Sequence, residues 1–358
     1  MNYTGPCRPA FSGGGRPAAK LPRVFPAQVK EHIELVHSCG FSFNYLLNAP
    51  CHGGREFEAG FRREMFEYLD WIGGLDVDMI TVSNPYLIEL IRKEYPSLKI
   101  KAGSFAEINS VNTAMHFDEL GVERITLAWN VNRKFDELEK IRKNVKCDLE
   151  VIVNLGCIYD CPLRYYHSRL TGHATQKRED GQPPVFVNYP PLRCAEKRIN
   201  SPVELIKSFW IRPEDISVYE DIGITHFKIA GRTFPTGEIL HRTQAYSRGK
   251  YDGNLLELLE TASIPALAAF TGDRTRLSSI LHVDNRMLDG FIDFFKEHEC
   301  GGECMDCNYC SDIAKKAVKV TGDIRAFKAG LEDVLSDMVS ESFTETDVYS
   351  RLCASRDL

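Results

Sequence analysis

The chain has 358 residues, 43 % of them hydrophobic, and a formal net charge of -6. Its length allows a large buried core and suits either one large barrel or two ordinary domains. The negative charge argues against a general surface for polyanions, and the sequence has neither an apolar stretch of about 18 residues that could span a membrane nor the apolar core of a signal peptide.

Residues 1–24 are rich in glycine, proline and basic residues, so they have too little apolar surface to order themselves, and we expect a flexible N-terminal arm. After this arm, stretches with helical periodicity alternate with short apolar runs. Such alternation is typical of βαβ units around a parallel sheet. The predicted strands cover residues 43–47, 77–83, 98–103, 124–129 and 149–153, and the predicted helices cover 25–37, 57–71, 85–94, 106–120 and 135–145.

The segment 162–201 interrupts this alternation because it is rich in proline, basic and aromatic residues, and we interpret it as a functional insertion. Beyond it the alternation resumes, and Pro213 marks the start of a helix. The later pattern predicts strands at 207–211 and 226–231 and helices at 237–246 and 254–262.

About seven strands are predicted, one short of the number in a closed barrel of this type. The predicted fold class is therefore α/β, a (β/α)8 TIM-like barrel with a helical, cysteine-rich C-terminal appendix. The expected organisation is an arm at 1–24, the barrel at 25–286 with the insertion at 162–201, and the appendix at 287–358.

Four of the twelve cysteines lie within eleven residues of the appendix, in CGGECMDCNYC. The short steps between Cys304, Cys307 and Cys310 let successive thiolates converge on one iron-sulfur cluster, and Cys300 supplies a fourth ligand. Four thiolates also satisfy tetrahedral zinc, which stays open as the alternative. The CxxxCxxC spacing also occurs in radical SAM enzymes, but there it lies early in the barrel, whereas here it follows the barrel.

Three further cysteines form a second candidate metal site. Cys157 and Cys161 follow the apolar run 151–155, which is typical of a buried strand, and Cys194 lies near the far border of the insertion. Cys51 ends another strand-like run and is the candidate fourth ligand, because the carboxyl ends of barrel strands converge; a small buried hydrophobe is its alternative role. So many thiols without a signal peptide indicate reduced, metal-binding cysteines in the cytoplasm.

Several blocks of the sequence resemble the collagenase-like peptidase family. They are VDMITVSNPYLIELIRKEYPSLKIKAGSFAEINS and LGVERITLAWNVNRKFDELEKIRK, followed in order by LEVIVNLGCIYDC, YYHSRLTGH, LRC and HFKIAGR. The resemblance spans about residues 28–235. It implies a TIM-like barrel, and it places Cys157, Cys161 and Cys194 at cluster-ligand positions and Cys51 at a position that some members use.

The better-understood members of the resembled family are oxygen-independent hydroxylation proteins for ubiquinone precursors, transfer RNA or ribosomal RNA, which hold a 4Fe-4S cluster and for which prephenate is implicated as the hydroxyl source. The resemblance therefore implies an iron-sulfur-dependent hydroxylase. Peptidase activity is the alternative, although the chain has no HExxH motif and no GxSxG elbow. A non-catalytic metal-bearing subunit, with a paralogous chain as candidate partner, is the third hypothesis.

Basic residues near the mid-chain cysteines are the candidate substrate-binding groups. Arg164, His167 and Arg169 lie in RYYHSRLTGH, and Arg232 follows a predicted strand. Arginine binds carboxylates and phosphates through paired hydrogen bonds, so we expect an anionic small-molecule or peptide substrate. The net charge disfavours RNA without excluding it. No carboxylate pair stands out as general acid and base, so no catalytic residue is predicted.

Overall fold

A computed structural model describes residues 24–176, 189–231, 234–261, 276–298, 300, 304–344 and 347. These residues pack as two compact units. The first unit comprises residues 24–128, 141–150 and 164–176, and the second comprises 129–140, 151–163 and the described residues from 189 onward. Residues 1–23 of the predicted arm lie outside the described residues. Within the described ranges, no helix combines the length and apolarity needed to cross a membrane.

Strands and helices alternate through the first unit, as the periodicity predicts. Two of its helices have proline in the first turn, where the missing N–H costs nothing. The elements are α1 (Pro26–Ser38), β1 (Asn44–Leu47), α2 (Ala59–Gly73), β2 (Met79–Val82), α3 (Pro85–Glu94), β3 (Ile100–Ala102), α4 (Val111–Glu119), β4 (Arg124–Thr126) and α6 (Arg164–His173). Two more, α5 (Phe135–Asn144) and β5 (Asp148–Ile152), contain residues of both units.

The second unit combines helices with β6 (His226–Lys228) and an antiparallel strand pair, β7 (Leu281–Val283) and β8 (Val318–Val320). Leu281 lies opposite Val320 in that pair. The predicted appendix is helical apart from β8 over its described residues. The helices are α7 (Tyr189–Asn200), α8 (Val203–Lys207), α9 (Ile216–Asp221), α10 (Thr236–Arg248), α11 (Leu277–Ile280), α12 (Asp293–Glu297), α13 (Tyr309–Ala317) and α14 (Ile324–Met338).

Six strands form one sheet in the order β1-β2-β3-β4-β5-β6. The pairing is parallel from β1 to β5; Thr81 lies opposite Lys101, and Ile125 lies opposite Leu149. Sequential order with parallel pairing is what βαβ connections produce. The predicted α/β class is thereby confirmed. A complete (β/α)8 barrel stays a prediction, because this sheet has six strands over the residues that the structure describes.

The strand predicted at 207–211 is wrong. Its first residue ends helix α8, and Trp210 Nε1 donates to the Leu205 carbonyl oxygen at 2.7 Å, which holds the next residues against the end of that helix. Asn132 Nδ2 donates to the Phe209 carbonyl oxygen at 2.9 Å, so a side chain satisfies a group that a strand would pair with backbone. The alternation of apolar residues did not reveal these two side-chain bonds.

The helix predicted at 254–262 is also wrong over its described residues. One 3-10 turn forms at Leu255–Glu257, opened by the Asn254 side chain, and Glu260 then pairs with Leu155 in an isolated parallel bridge. A second predicted helix, 106–120, begins late. Glu107 adopts a left-handed backbone with φ of +58°, and the helix therefore starts at Val111.

A buried ion pair lies across three strands of the first unit. Lys101 Nζ lies 3.0 Å from Glu150 Oε2, and Thr126 Oγ1 donates to Glu150 Oε1 at 2.8 Å. Both charged side chains are 8 % exposed. An unpaired charge in such a position costs several kcal/mol, so each partner depends on the other to remain buried.

We predict that Lys101→Met lowers the free energy of unfolding by about 3–5 kcal/mol, because the Glu150 carboxylate loses its cation while staying buried. Chemical denaturation followed by circular dichroism measures this loss. Lys93, whose side chain is 83 % exposed, provides the matched control, and Lys93→Met should change stability by less than about 0.5 kcal/mol. Similar losses in the two variants would contradict the account.

Candidate functional site

The chain after β5 is held in place by hydrogen bonds within the second unit. Glu260 N–H donates to the Asn154 carbonyl oxygen at 2.7 Å. The Asn154 side chain accepts from the Ala230 N–H at 2.7 Å and donates to the Leu258 carbonyl oxygen at 3.1 Å. These bonds fix the backbone just before Cys157, so the strand delivers this thiol at a defined position.

Cys157, Cys161 and Cys194, hereafter the mid-chain cysteines, affect one another's ionisation. The hydrogen bond between the Cys194 thiol and the Cys161 sulfur lowers the pKa of Cys161 and raises that of Cys194. Burial raises the pKa of Cys157 to about 12, and the nearby Cys161 adds to that rise. Three thiols with this mutual influence form one local group, in which Cys161 most readily becomes a thiolate.

Arg198 is the positive charge beside the mid-chain cysteines. The residue is 2 % exposed, and its charge favours the thiolate form of each of the three cysteines, against burial, which disfavours it. Its Nη1 donates to the Thr261 carbonyl oxygen at 3.1 Å, and its Nη2 donates to the Gly156 carbonyl oxygen. Arg198 follows Cys194 by four residues on α7, so one helix face delivers both. Sequence reasoning missed Arg198, and this spacing is the signal that could have found it.

Cys51 belongs to the first unit and lies after β1. Its sulfur accepts a hydrogen bond from the Gly53 N–H at 3.3 Å. Its carbonyl oxygen accepts from Gln176 Nε2 at 2.7 Å. The role of Cys51 as a fourth ligand stays a prediction.

His52, the next residue, is a buried neutral imidazole that sequence reasoning missed. Asn84 uses Oδ1 to cap α3, so its Nδ2 is the atom that donates to His52 Nδ1 at 3.2 Å and to Glu56 Oε1 at 3.3 Å. His52 Nδ1 is therefore an acceptor, and the ring proton lies on Nε2. Burial lowers the pKa of His52 to about 4, against the opposing effect of Glu56.

Arg164, a predicted anion-binding residue, is paired with a carboxylate of the chain itself. It begins α6 and forms an ion pair with Glu107, and the two side chains are 9 % and 12 % exposed. His167 lies on the same helix, and Arg232 lies outside the described residues.

Three basic residues of the first unit lie near one another, namely Arg55, Arg169 and His173. Burial lowers the pKa of His173, and the charges of Arg55 and Arg169 lower it further. Arg169 is thus the predicted anion-binding residue that the fold places in a basic cluster. Such a cluster suits a carboxylate or phosphate group.

The four cysteines of the appendix, hereafter the C-terminal cysteines, also influence one another. Cys310 lies in the first turn of α13, and burial raises its pKa to about 11. Cys300, Cys304 and Cys307 add to that rise, whereas Arg133 opposes it. Cys307 is exposed, and the other three are partly buried.

In the part of the chain that the structure describes, no three His, Cys, Asp or Glu side chains already stand in positions that would enclose a metal ion. The fold brings the mid-chain cysteines near one another and does the same for the C-terminal cysteines. Both groups lie near a buried arginine, and neither group is a preformed metal cage.

The chain is similar to a protein family, to a protein of known sequence and to a solved structure. The model of peptidase family U32 matches residues 20–253. The chain is 32 % identical over 316 residues to an uncharacterized protease of Methanocaldococcus jannaschii, a match that covers 87 % of each chain. It is also similar to the solved structure of a U32 peptidase, with 24 % identity and a TM-score of 0.46; the match covers 62 % of this chain and 82 % of that one.

We predict that the protein loses stability in mild acid because of His52. Its pKa is about 4 when folded, against 6.5 for an ordinary histidine, so the unfolded state takes up more protons as the pH falls between these values. The pKa difference corresponds to a loss of up to about 3 kcal/mol. Denaturation of the wild type and of His52→Asn at several pH values measures the effect.

The His52→Asn variant should lose most of the fall in stability that the wild type shows between the folded and unfolded pKa values of His52. His116, which is exposed, gives the control His116→Asn, and that variant should keep the wild-type profile. If His52→Asn keeps the same fall in stability, another group is responsible.

Proposed function

The chain belongs to peptidase family U32, and from this premise we propose that it is an iron-sulfur-dependent redox enzyme that hydroxylates its substrate without molecular oxygen. In this proposal an organic co-substrate gives up the hydroxyl group and is reduced by two electrons as the substrate is oxidised by two. One observation carries the proposal. Cys157 and Cys161 come together with Cys194, from a distant part of the sequence, beside the buried Arg198.

The chemistry of this donor set fits an iron-sulfur cluster. Cluster ligation needs thiolates, so each thiol must lose its proton. Arg198 favours that loss at all three thiols, and Cys161 is further biased towards the thiolate by its bond to Cys194. Because the side chains do not yet enclose a metal, cluster binding would break the bond between Cys194 and Cys161. The fourth ligand comes from outside these three residues. When bound, such a cluster supplies one-electron transfer.

The residues around the thiols have separate tasks in this proposal. Arg198 offsets the negative charge that a thiolate-ligated cluster brings into a buried place, where an uncompensated charge would cost several kcal/mol. The same guanidinium holds the carbonyl oxygens of Gly156 and Thr261, which steadies the backbone next to Cys157. Outer hydrogen bonds of this kind orient metal ligands and tune reduction potentials.

The substrate in this proposal carries a carboxylate or phosphate. The cluster of Arg55, Arg169 and His173 supports that choice, because it collects basic groups at one place in the first unit. The net charge of -6 makes a small anionic molecule or a peptide a better match than RNA, because proteins that bind RNA usually have a broad basic surface.

Peptide-bond hydrolysis is the second candidate function. It is favoured by the descriptions of the family as peptidases and of the M. jannaschii relative as a protease. In this chain Cys161 would be the nucleophile, since its lowered pKa keeps the thiolate available for attack. This function needs a free thiolate, so it is incompatible with ligation of Cys161 by a cluster.

We predict that Cys157→Ala and Cys161→Ala each remove about four iron and four sulfide ions per chain from protein purified without oxygen. Iron and acid-labile sulfide analysis measures the loss. Cys39 is exposed in the first unit and gives the matched control, Cys39→Ala, which should keep the wild-type content.

Two results would contradict the redox proposal. One is anaerobic wild-type protein that contains neither iron nor sulfide after reconstitution. The other is cleavage of denatured collagen or fluorogenic peptides by metal-free wild type, with loss of cleavage in Cys161→Ala. The second result would establish the peptidase alternative.

A further inference from the structure

We infer that the C-terminal cysteines bind an iron-sulfur cluster of their own, and that this cluster exchanges single electrons with the one proposed at the mid-chain cysteines. The inference rests on the proposed function for the mid-chain site and extends it. The family model ends at residue 253, before the C-terminal cysteines begin, so this second site is a feature of the chain beyond the matched region.

The C-terminal cysteines have the spacing in sequence that a cluster needs. Two or three residues separate each cysteine from the next, and the last of them, Cys310, lies in the first turn of α13. A helix start favours negative charge, and the short steps let the thiolates converge without long loops. Cys307 is exposed, so the site has a side that an external electron donor can approach.

A buried guanidinium supports an anionic group at this place. Arg133 is 1 % exposed, and within the described chain its hydrogen bonds go to two backbone carbonyl oxygens, those of Ile206 and Trp210. Its Nε has no hydrogen-bond partner among the described residues. The charges of Cys300 and Cys310 act on this guanidinium, so the positive charge lies within electrostatic range of the C-terminal thiols.

Aromatic rings connect Arg133 to the C-terminal cysteines. Tyr309, which immediately precedes Cys310, stacks on Phe291 with 5.6 Å between ring centroids and 9° between planes. Its hydroxyl donates to the Phe291 carbonyl oxygen at 3.0 Å, which fixes this stack. Arg133 Cζ lies 4.7 Å from the centroid of Phe291, and this cation–π contact extends the series of packed side chains from Tyr309 and Phe291 to Arg133.

The same series continues to the mid-chain cysteines. Arg133 Cζ lies 5.4 Å from the centroid of Phe209, and Phe209 stacks on Tyr159 with 4.8 Å between centroids. Tyr159 lies between Cys157 and Cys161 in the sequence. One packed series of side chains thus joins Tyr309, next to Cys310, to Tyr159, between Cys157 and Cys161, within the second unit.

The exchange is a one-electron step with no change in covalent bonds. An external low-potential one-electron donor reduces the C-terminal cluster; that cluster is then oxidised by one electron as the mid-chain cluster is reduced by one electron. No proton is transferred. Zinc has no accessible redox change, so a zinc ion at the C-terminal cysteines could not exchange an electron with the mid-chain cluster.

The test is metal analysis and EPR spectroscopy of the full chain, reconstituted with iron and sulfide without oxygen. We expect about eight iron and eight sulfide ions per chain and no zinc. After reduction with dithionite, the spectrum should be broadened by coupling between two nearby paramagnetic clusters. Cys304→Ala should lose about half of the iron and the broadening, while the mid-chain signal persists.

Two matched variants separate this inference from the proposed function. Cys157→Ala should lose the other half of the iron, and Cys39→Ala should lose none. Four iron ions with one zinc, unaffected by reconstitution, would overturn the inference and leave the mid-chain proposal standing. Loss of all iron in Cys304→Ala with retained circular dichroism, or two clusters without magnetic coupling, would also overturn it. Iron that survives in Cys157→Ala at the wild-type level would instead refute the mid-chain proposal.

Discussion

The burial of Arg198 beside three thiols is the constraint on which the second unit's site depends. A guanidinium with 2 % exposure must be compensated, and two carbonyl oxygens and the thiols around it provide that compensation. Helix α7 brings Cys194 with it, because the two residues are one turn apart, while the backbone after β5 brings Cys157. Arg198 favours the thiolate form of each cysteine against the effect of burial, and the metal chemistry proposed for this site depends on that charge.

The first unit also contains buried ionisable side chains, and different groups compensate or neutralise them. Lys101 and Glu150 neutralise each other inside the sheet, and His52 stays neutral through burial and its bond to Asn84. These residues come from strands, or from the loops that directly follow them, so the parallel sheet itself sets their spacing. Charge is therefore kept inside the molecule where it has a partner, and the neutral imidazole of His52 occupies a place where charge would be costly.

Much of the fold followed from periodicity alone, and helix Pro85–Glu94 was predicted with its observed ends because Pro85 starts it and its apolar residues repeat every three to four positions. Cysteine spacing likewise identified both groups of thiols. The two wrong predictions, at 207–211 and 254–262, lie where side chains of Asn132, Trp210 and Asn254 bond to the backbone. The bond from Asn132 to Phe209 joins residues that are distant in sequence, so periodicity could not show it. Arg198 was missed although it follows Cys194 by one helical turn, because the burial of an arginine is a tertiary property.

The central claim is that the mid-chain cysteines are the ligands of an iron-sulfur cluster. Anomalous diffraction at the iron edge, from crystals grown without oxygen, tests it most directly. The account predicts iron bonded to the sulfurs of Cys157, Cys161 and Cys194, with Arg198 beside it. Ordered crystals of reconstituted protein in which these sulfurs remain thiols, or in which a peptide-derived group is bound to Cys161 instead, would contradict it.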